Sequence, residues 1–119
     1  MKKVLVVFLF SALFFSCEKD NDYLIPSREV PEWLKSDITR QEQIIKDSPQ
    51  LMNAYGAWLR YQWGNEFYFE YHNDLSSSSP RATSYDRKTI IPVWDVNTDY
   101  YNEKCCKVYV WKAPNARDY

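Results

Sequence analysis

The chain has 119 residues and 15 Lys and Arg against 16 Asp and Glu, which suits one small domain and excludes a strongly basic nucleic-acid-binding surface. It has 2 Gly and 1 His, which leaves little material for a phosphate-binding loop or a histidine metal site. We therefore expect no nucleic-acid partner, no cofactor and no metal site.

Residues 1–16 have the pattern of an export signal. Lys2 and Lys3 form a cationic start, and the twelve residues 4–15 are apolar except for Ser11. A membrane-spanning helix needs about 20 apolar residues. The run is therefore too short to cross a bilayer and has the length of a signal core. We predict that residues 1–16 are removed.

The end of this apolar run resembles the lipobox of bacterial lipoproteins. Ser16, a small residue, stands directly before Cys17, while Phe14 and Phe15 occupy positions where the family usually has an aliphatic and a small residue. Such relaxed lipoboxes are typical of Bacteroidota. The resemblance implies cleavage between Ser16 and Cys17 and attachment of acyl chains such as palmitate to Cys17. That lipid would anchor the chain to the membrane without a transmembrane helix.

The residues that follow Cys17 resemble the address that sends Bacteroidota lipoproteins to the cell surface. This stretch, 18–22, reads Glu-Lys-Asp-Asn-Asp, a lysine among acidic residues. Removal of residues 1–16 would leave 13 of the 15 basic side chains against 16 acidic ones, a net charge of −3. We predict an outer-membrane lipoprotein on the cell surface, with a flexible tether over 17–30 and a single domain over 31–119.

The domain begins with one clear helix, predicted over 31–47. Pro31 suits its first turn, and Leu34, Ile38 and Ile45 follow at helical spacing. The pair Ser48-Pro49 ends it.

From Asn53 the apolar residues alternate, which predicts two strands of a hairpin through His72. A three-residue loop over 64–66, with Asn65 in the left-handed conformation, would pair Leu59 with Tyr71 and keep apolar residues together on one face. A two-residue loop would pair Leu59 with Glu70 and mix polar with apolar side chains. Because a one-residue slip exchanges the faces, burial favours the first register.

The rest of the chain predicts shorter elements. After a Ser-rich loop over 75–80, strands are expected over 82–85 and 89–91, and Pro92 either makes the second an edge strand or breaks it. A short apolar segment follows at 93–96, and then a helical turn near 97–102 and a last strand over 106–112. The fold class is α+β, with one N-terminal helix packed on a four- to five-stranded antiparallel sheet.

Cys105 and Cys106 are the two thiols that remain if Cys17 carries lipid. In an exported chain they could form a vicinal disulfide, stay free on opposite faces of a strand, or bond to another chain. Adjacent cysteines close almost no loop and gain little chain entropy. We therefore favour two ordinary strand residues with Cys106 packed inward as a small hydrophobe.

The aromatic surplus indicates the candidate binding site. Seventeen of the 21 aromatic residues follow position 16, and all but two of these are Tyr or Trp. These rings are typical of surfaces that meet a ligand on one side and water on the other. Trp58 and Tyr68, on the face opposite the predicted core, are expected to form an exposed platform, with Glu70 and His72 as its polar neighbours.

Pro31-Glu32-Trp33-Leu34 and the aromatic hairpin, together with the lipobox, resemble small Bacteroidota surface lipoproteins of an uncharacterised family. The resemblance implies a location and a lipid site at Cys17, and no activity. Since no catalytic constellation is evident, we expect no enzyme and predict a small ligand- or glycan-binding module. The alternative is a protein-interaction lipoprotein, either an accessory subunit of an envelope complex or an immunity factor.

Overall fold

The computed structural model describes residues 23–77, 80–92 and 98–119. The fold is α+β, with one long helix on a five-stranded antiparallel sheet of order β4-β3-β2-β1-β5, which confirms the predicted class. The elements are α1 (Glu32–Asp47), β1 (Ala57–Trp63), β2 (Glu66–His72), β3 (Arg81–Ser84), β4 (Ile90–Pro92), α2 (Asp99–Glu103) and β5 (Cys105–Lys112). The apolar segment predicted at 93–96 lies outside the described residues.

Helix α1 forms where its local signals predict it. Pro31 is its N-cap residue, and the backbone N–H of Ser48 closes the last turn on the carbonyl of Ile44. The buried stripe runs at helical spacing along Leu34, Ile38, Gln41 and Ile45. This stripe packs into the main core with Phe69 of β2 and with Val110 and Trp111 of β5.

The predicted hairpin register is wrong. Trp63 pairs with Glu66 across a two-residue loop, so Leu59 faces Glu70 and Tyr61 faces Tyr68. Gly64 has a φ of 60°, which glycine adopts at little cost, and Asn65 does not take the left-handed conformation. A positive φ at the first loop residue alone is the requirement of a type II′ hairpin turn.

Burial fails to select the register because elements cover parts of both faces of the sheet. Trp33 of α1 packs against Trp58 and Phe69 on one face. On the other face, Tyr100 of α2 packs against Tyr68. The assumption of one apolar and one solvated face therefore does not hold, and Glu70 is buried beside Leu59.

The segment 23–30 belongs to the folded domain, which corrects the predicted tether over these residues. Ile25 and Val30 are buried in the main core, and a 3₁₀ turn spans Ser27–Glu29. The backbone N–H of Leu24 donates to the carbonyl of Val110 at 2.8 Å, so the segment lies along the outer edge of β5. Residues 17–22 of the predicted tether lie outside the described residues.

The shorter elements agree with the sequence to within one or two residues. Among the described residues, strand β4 pairs with β3 alone, so it is an edge strand; Pro92 belongs to it and does not break it. The predicted helical turn is α2, and the Thr98 hydroxyl caps it by accepting from the N–H of Tyr101.

Candidate functional site

Trp58 and Tyr68 do not form the predicted exposed platform. Tyr61 pairs directly with Tyr68, whereas Trp58 is an odd number of residues away from Tyr61 on the same strand. The two rings therefore lie on opposite faces of the sheet. Tyr68 is buried between Trp63 and Tyr100, and Trp58 is half-buried under α1. The prediction failed because it rested on a solvated second face.

Trp58 instead lines a groove between α1 and the sheet. Two adjoining depressions of about 450 and 210 Å³ share Asp37, Arg40 and Trp58. The larger extends along Trp33 toward β3 and β4, and the smaller extends toward Tyr71. We call these two depressions together the α1 groove.

Three aromatic rings lie in sequence along the α1 groove. The centroids of Trp33 and Trp58 are 5.9 Å apart with an edge-to-face geometry, and those of Trp58 and Tyr71 are 5.4 Å apart. The indole N–H of Trp33 donates to the carbonyl of Tyr85 at 2.8 Å. All three rings are half-buried, so each is held in place and still has surface open to solvent.

Asp37 is the polar centre of the α1 groove. Its Oδ2 accepts from the Trp58 indole Nε1 at 2.9 Å and from Gln41 Nε2 at 2.8 Å, and its Oδ1 accepts from Arg40 Nη2 at 2.5 Å. These bonds fix the rotamers of Trp58 and Gln41. Among the described residues, the buried Gln41 Oε1 accepts no hydrogen bond, which leaves one acceptor at the groove wall without a protein donor.

The helix contributes five of the fourteen residues that line this groove, and the alternation of the strands gives no sign of them. Trp33, Asp37 and Arg40 stand at helical spacing beside the buried stripe of α1. That spacing is visible in the sequence. No local sequence pattern indicates that this face of α1 lies above Trp58.

Glu70 and His72 lie on the other face of the sheet, in a buried polar cluster. Glu70 has no exposed surface, which corrects its predicted place beside an exposed platform. His72 Nε2 lies 2.7 Å from Glu70 Oε1, and Lys104 Nζ lies 2.8 Å from Glu70 Oε2. Tyr100 also donates its hydroxyl to Oε2. The Lys104 ammonium lies 4.0 Å from the centre of the Tyr61 ring.

The charges in this cluster compensate one another. Burial disfavours ionised Glu70, but hydrogen bonds with His72, Lys104 and Tyr100 outweigh it, so the pKa of Glu70 is lowered from its usual 4.5. Burial and the neighbouring Glu70 charge raise the pKa of Tyr61 to about 12, and burial with the hydrogen bond to Glu70 raises that of Tyr100 well above its usual range. The cluster therefore holds an ionised carboxylate and neutral phenols at pH 7.

Cys105 and Cys106 form a disulfide between adjacent residues. Both are exposed, so the expectation of an inward-packed Cys106 is wrong. Cys106 has a φ of 67°, and the pairing of β5 with β1 shifts register beside it. The bulged edge of the sheet turns both side chains away from the core, where the sequence argument assumed regular alternation.

Within the parts of the chain that the structure describes, no three His, Cys, Asp or Glu side chains group as metal ligands. No helix in those parts is long and apolar enough to cross a membrane. Comparison with protein-family models, with curated proteins and with solved structures finds no match.

Proposed function

We propose that this chain is a lipid-anchored surface protein whose domain binds a carbohydrate in the α1 groove. The observation that carries the proposal is the row of three half-buried rings, Trp33, Trp58 and Tyr71, beside the hydrogen-bonded pair Asp37 and Arg40. Aromatic rings offer flat apolar surface to the faces of a sugar, and adjacent polar groups select its hydroxyls.

The position of Trp58 supports this assignment over the platform predicted from sequence. Its ring is oriented by the bond to Asp37 and by contact with Trp33 and Tyr71. A ring that is already held in place loses little conformational entropy when a ligand stacks on it. The α1 groove is also open, as a site for an oligosaccharide must be when the chain extends beyond it.

A binding panel tests the carbohydrate assignment. The full-length chain in a polyoxyethylene detergent, which carries no sugar headgroup, is titrated with cello-, manno- and xylo-oligosaccharides and with oligogalacturonate by calorimetry. We expect one class to bind, and Arg40→Ala to weaken that binding about tenfold or more through lost hydrogen bonds. The Arg40 side chain is 64% exposed, so its removal leaves the fold intact.

Arg28→Ala is the matched control for Arg40→Ala, because Arg28 is exposed and does not line the α1 groove. Trp58→Phe is a second variant, which keeps an aromatic ring and removes the N–H donor to Asp37. If no saccharide binds to the wild-type chain, the carbohydrate assignment is wrong. Equal losses in Arg40→Ala and Arg28→Ala would place the site elsewhere.

The lipid anchor rests on the lipobox-like end of the signal at Ser16-Cys17 and is tested separately. In the native envelope, cells fed an alkyne-labelled palmitate should label the wild-type chain and leave Cys17→Ala unlabelled. Protease added to intact cells should remove the domain if the acidic stretch 18–22 directs it to the outer face. Protection from protease would place the domain in the periplasm.

One observation favours the alternative, a protein-interaction lipoprotein. Phe67 and Tyr85 are 37% and 46% exposed and line a depression of about 310 Å³ with Asp86. A partner that covers these rings should be lost with Tyr85→Ser and kept with Arg40→Ala. Co-purification from the native envelope, with both variants in parallel, distinguishes this surface from the α1 groove.

A further inference from the structure

We infer that the ligand of the α1 groove is an anionic oligosaccharide, recognised through Arg87. This inference rests on the proposed function and names the class of carbohydrate. Two arginines, Arg40 and Arg87, line the groove, and a third, Arg81, begins the neighbouring strand β3. Among the groove-lining residues that the structure describes, Asp37 is the one carboxylate.

Arg87 is the first of these arginines. It lies in the turn between β3 and β4, lines the larger depression, and holds its guanidinium carbon 5.5 Å from the centre of the Trp33 ring. Its φ of 64° places it in the left-handed region, so the turn itself sets where the side chain leaves the backbone. Among residues 23–77, 80–92 and 98–119, no carboxylate lies within salt-bridge distance of Arg87.

Arg81 and Arg40 extend the same positive surface. Arg81 stands two residues before Thr83 on β3, so it projects from the face of the sheet on which Thr83 lines the groove. It too has no salt bridge to a described residue. Arg40 uses Nη2 for Asp37, and its side chain remains 64% exposed.

This positive surface is not a general property of the chain, whose net charge is −1. The three guanidinium groups in and beside the groove outnumber its one carboxylate. They give this surface a net positive charge, whereas the chain as a whole has a net negative charge. An arginine offers a planar pair of donors that matches a carboxylate, and a guanidinium stacked over an indole keeps its edge free to donate. A sugar ring of the ligand that stacks on Trp33 would therefore place its acidic group near Arg87.

The decisive test compares saccharides that differ only in charge. The full-length chain in the polyoxyethylene detergent is titrated by calorimetry at about 20 mM salt with trigalacturonate and with its methyl ester, which keeps the rings and removes the charge. We expect trigalacturonate to bind about tenfold or more tightly than the ester. Salt ions screen the attraction between opposite charges at an exposed site. The ratio of the affinity for trigalacturonate to that for the ester should therefore fall as salt is raised to about 500 mM.

Arg87→Gln should remove most of this advantage, because it should lower the affinity for trigalacturonate more than the affinity for the ester. Arg28→Gln, an exposed arginine outside the groove, should retain the advantage. If Arg87→Gln changes the far-UV circular dichroism spectrum, Arg81→Gln serves in its place, with the expectation of a reduced advantage. A trisaccharide of uncharged sugars that carries sulfate groups tests whether the acid must be a carboxylate. Binding as tight as that of trigalacturonate supports an anionic ligand of either kind, and weaker binding supports a carboxylate.

Three results would overturn the inference, and they differ in what they say of the proposed function. If trigalacturonate and its ester bind with equal affinity, the groove binds carbohydrate with no preference for an acidic group. The inference is then wrong and the proposed function stands. If neither these probes nor the neutral panel binds, both are wrong. Loss of the advantage in Arg28→Gln as well would show a long-range charge effect and contradict the role of Arg87.

Discussion

At the scale of single residues, Glu70 is a fully buried carboxylate in the second strand of the sheet. A carboxylate without exposed surface is costly unless it is paired and hydrogen-bonded. Here Lys104, Tyr100 and His72 supply the partners. Two of them are 34 and 30 residues away along the chain, so the alternation within β2 gives no sign of them.

We expect Glu70→Ala to destabilise the fold by about 3–5 kcal/mol, because it leaves the Lys104 ammonium and the Tyr100 hydroxyl without their acceptor. Urea denaturation measures this free energy of unfolding. Glu66→Ala is the matched control, since Glu66 lies on the same face of the same strand, is exposed, and accepts a hydrogen bond from the Tyr68 hydroxyl. Its loss should cost about 1–2 kcal/mol, less than the loss of Glu70. Equal costs for the two variants would show that Glu70 is not buried.

The same carboxylate should make stability depend on pH. The folded-state pKa of Glu70 is lowered from its usual 4.5, so its contribution is fully present above that value and is lost as the pH falls through the folded-state pKa. Urea midpoints at pH 7, 4.5 and 3 should fall more for the wild-type chain than for Glu70→Gln, which cannot titrate. Parallel pH profiles for the two proteins would contradict the lowered pKa.

The cysteines give a prediction that combines the disulfide with the proposed anchor. With Cys17 acylated and Cys105 bonded to Cys106, the mature protein has no free thiol. Alkylation in denaturant should therefore add nothing without a reductant and two groups after reduction, as read from the intact mass. One group before reduction would indicate a free Cys17, and two would indicate that the vicinal disulfide is absent.

At the scale of elements, local signals decide what the sequence predicts well. The position of α1 follows from Pro31, the apolar stripe and the Ser48-Pro49 pair, all within the element. The hairpin register was not predictable from burial, because both faces of β1 and β2 are partly covered. The turn at Gly64 sets the register, and the burial of Glu70 depends on partners from α2 and the residue that follows it.

Gly56, directly before β1, is required for the close approach of Tyr71. A Cβ at this position would lie 2.0 Å from the Tyr71 hydroxyl oxygen and 2.8 Å from its Cε1, so the ring would have to move away from Trp58. We expect Gly56→Ala to cost about 1–3 kcal/mol by overpacking. The measurement is the urea midpoint, and Gly56→Ala should cost little in a Tyr71→Ala background, since that change removes the hydroxyl oxygen and the ring carbons that clash. A Gly56→Ala variant as stable as the wild type would contradict this contact.

At the scale of the whole molecule, the candidate site was predicted only in part because the groove is assembled from distant segments. Trp58 was identified from its strand, but Asp37 comes from α1 and Arg87 from the turn before β4. The sequence has an excess of Tyr and Trp, and the prediction put Trp58 and Tyr68 on one exposed face of the sheet. The structure distributes these rings between two faces, and the groove arises where α1 leaves part of one face uncovered.

The boundary of the domain can be tested by two adjacent residues of the segment that the sequence predicted to be tether. Ile25 is buried, with 8% of its surface exposed, whereas Leu24 is 61% exposed. If this segment is part of the fold, Ile25→Ala in the full chain should cost about 2 kcal/mol or more and lower the melting temperature by several degrees. Leu24→Ala keeps its backbone bond to Val110 and should change the free energy of unfolding by about 0.5 kcal/mol or less. Equal and small effects of the two variants on the free energy of unfolding would show that residues 23–30 belong to the tether. A large effect of Ile25→Ala alone would fix the start of the domain at this segment and make the link to Cys17 correspondingly short.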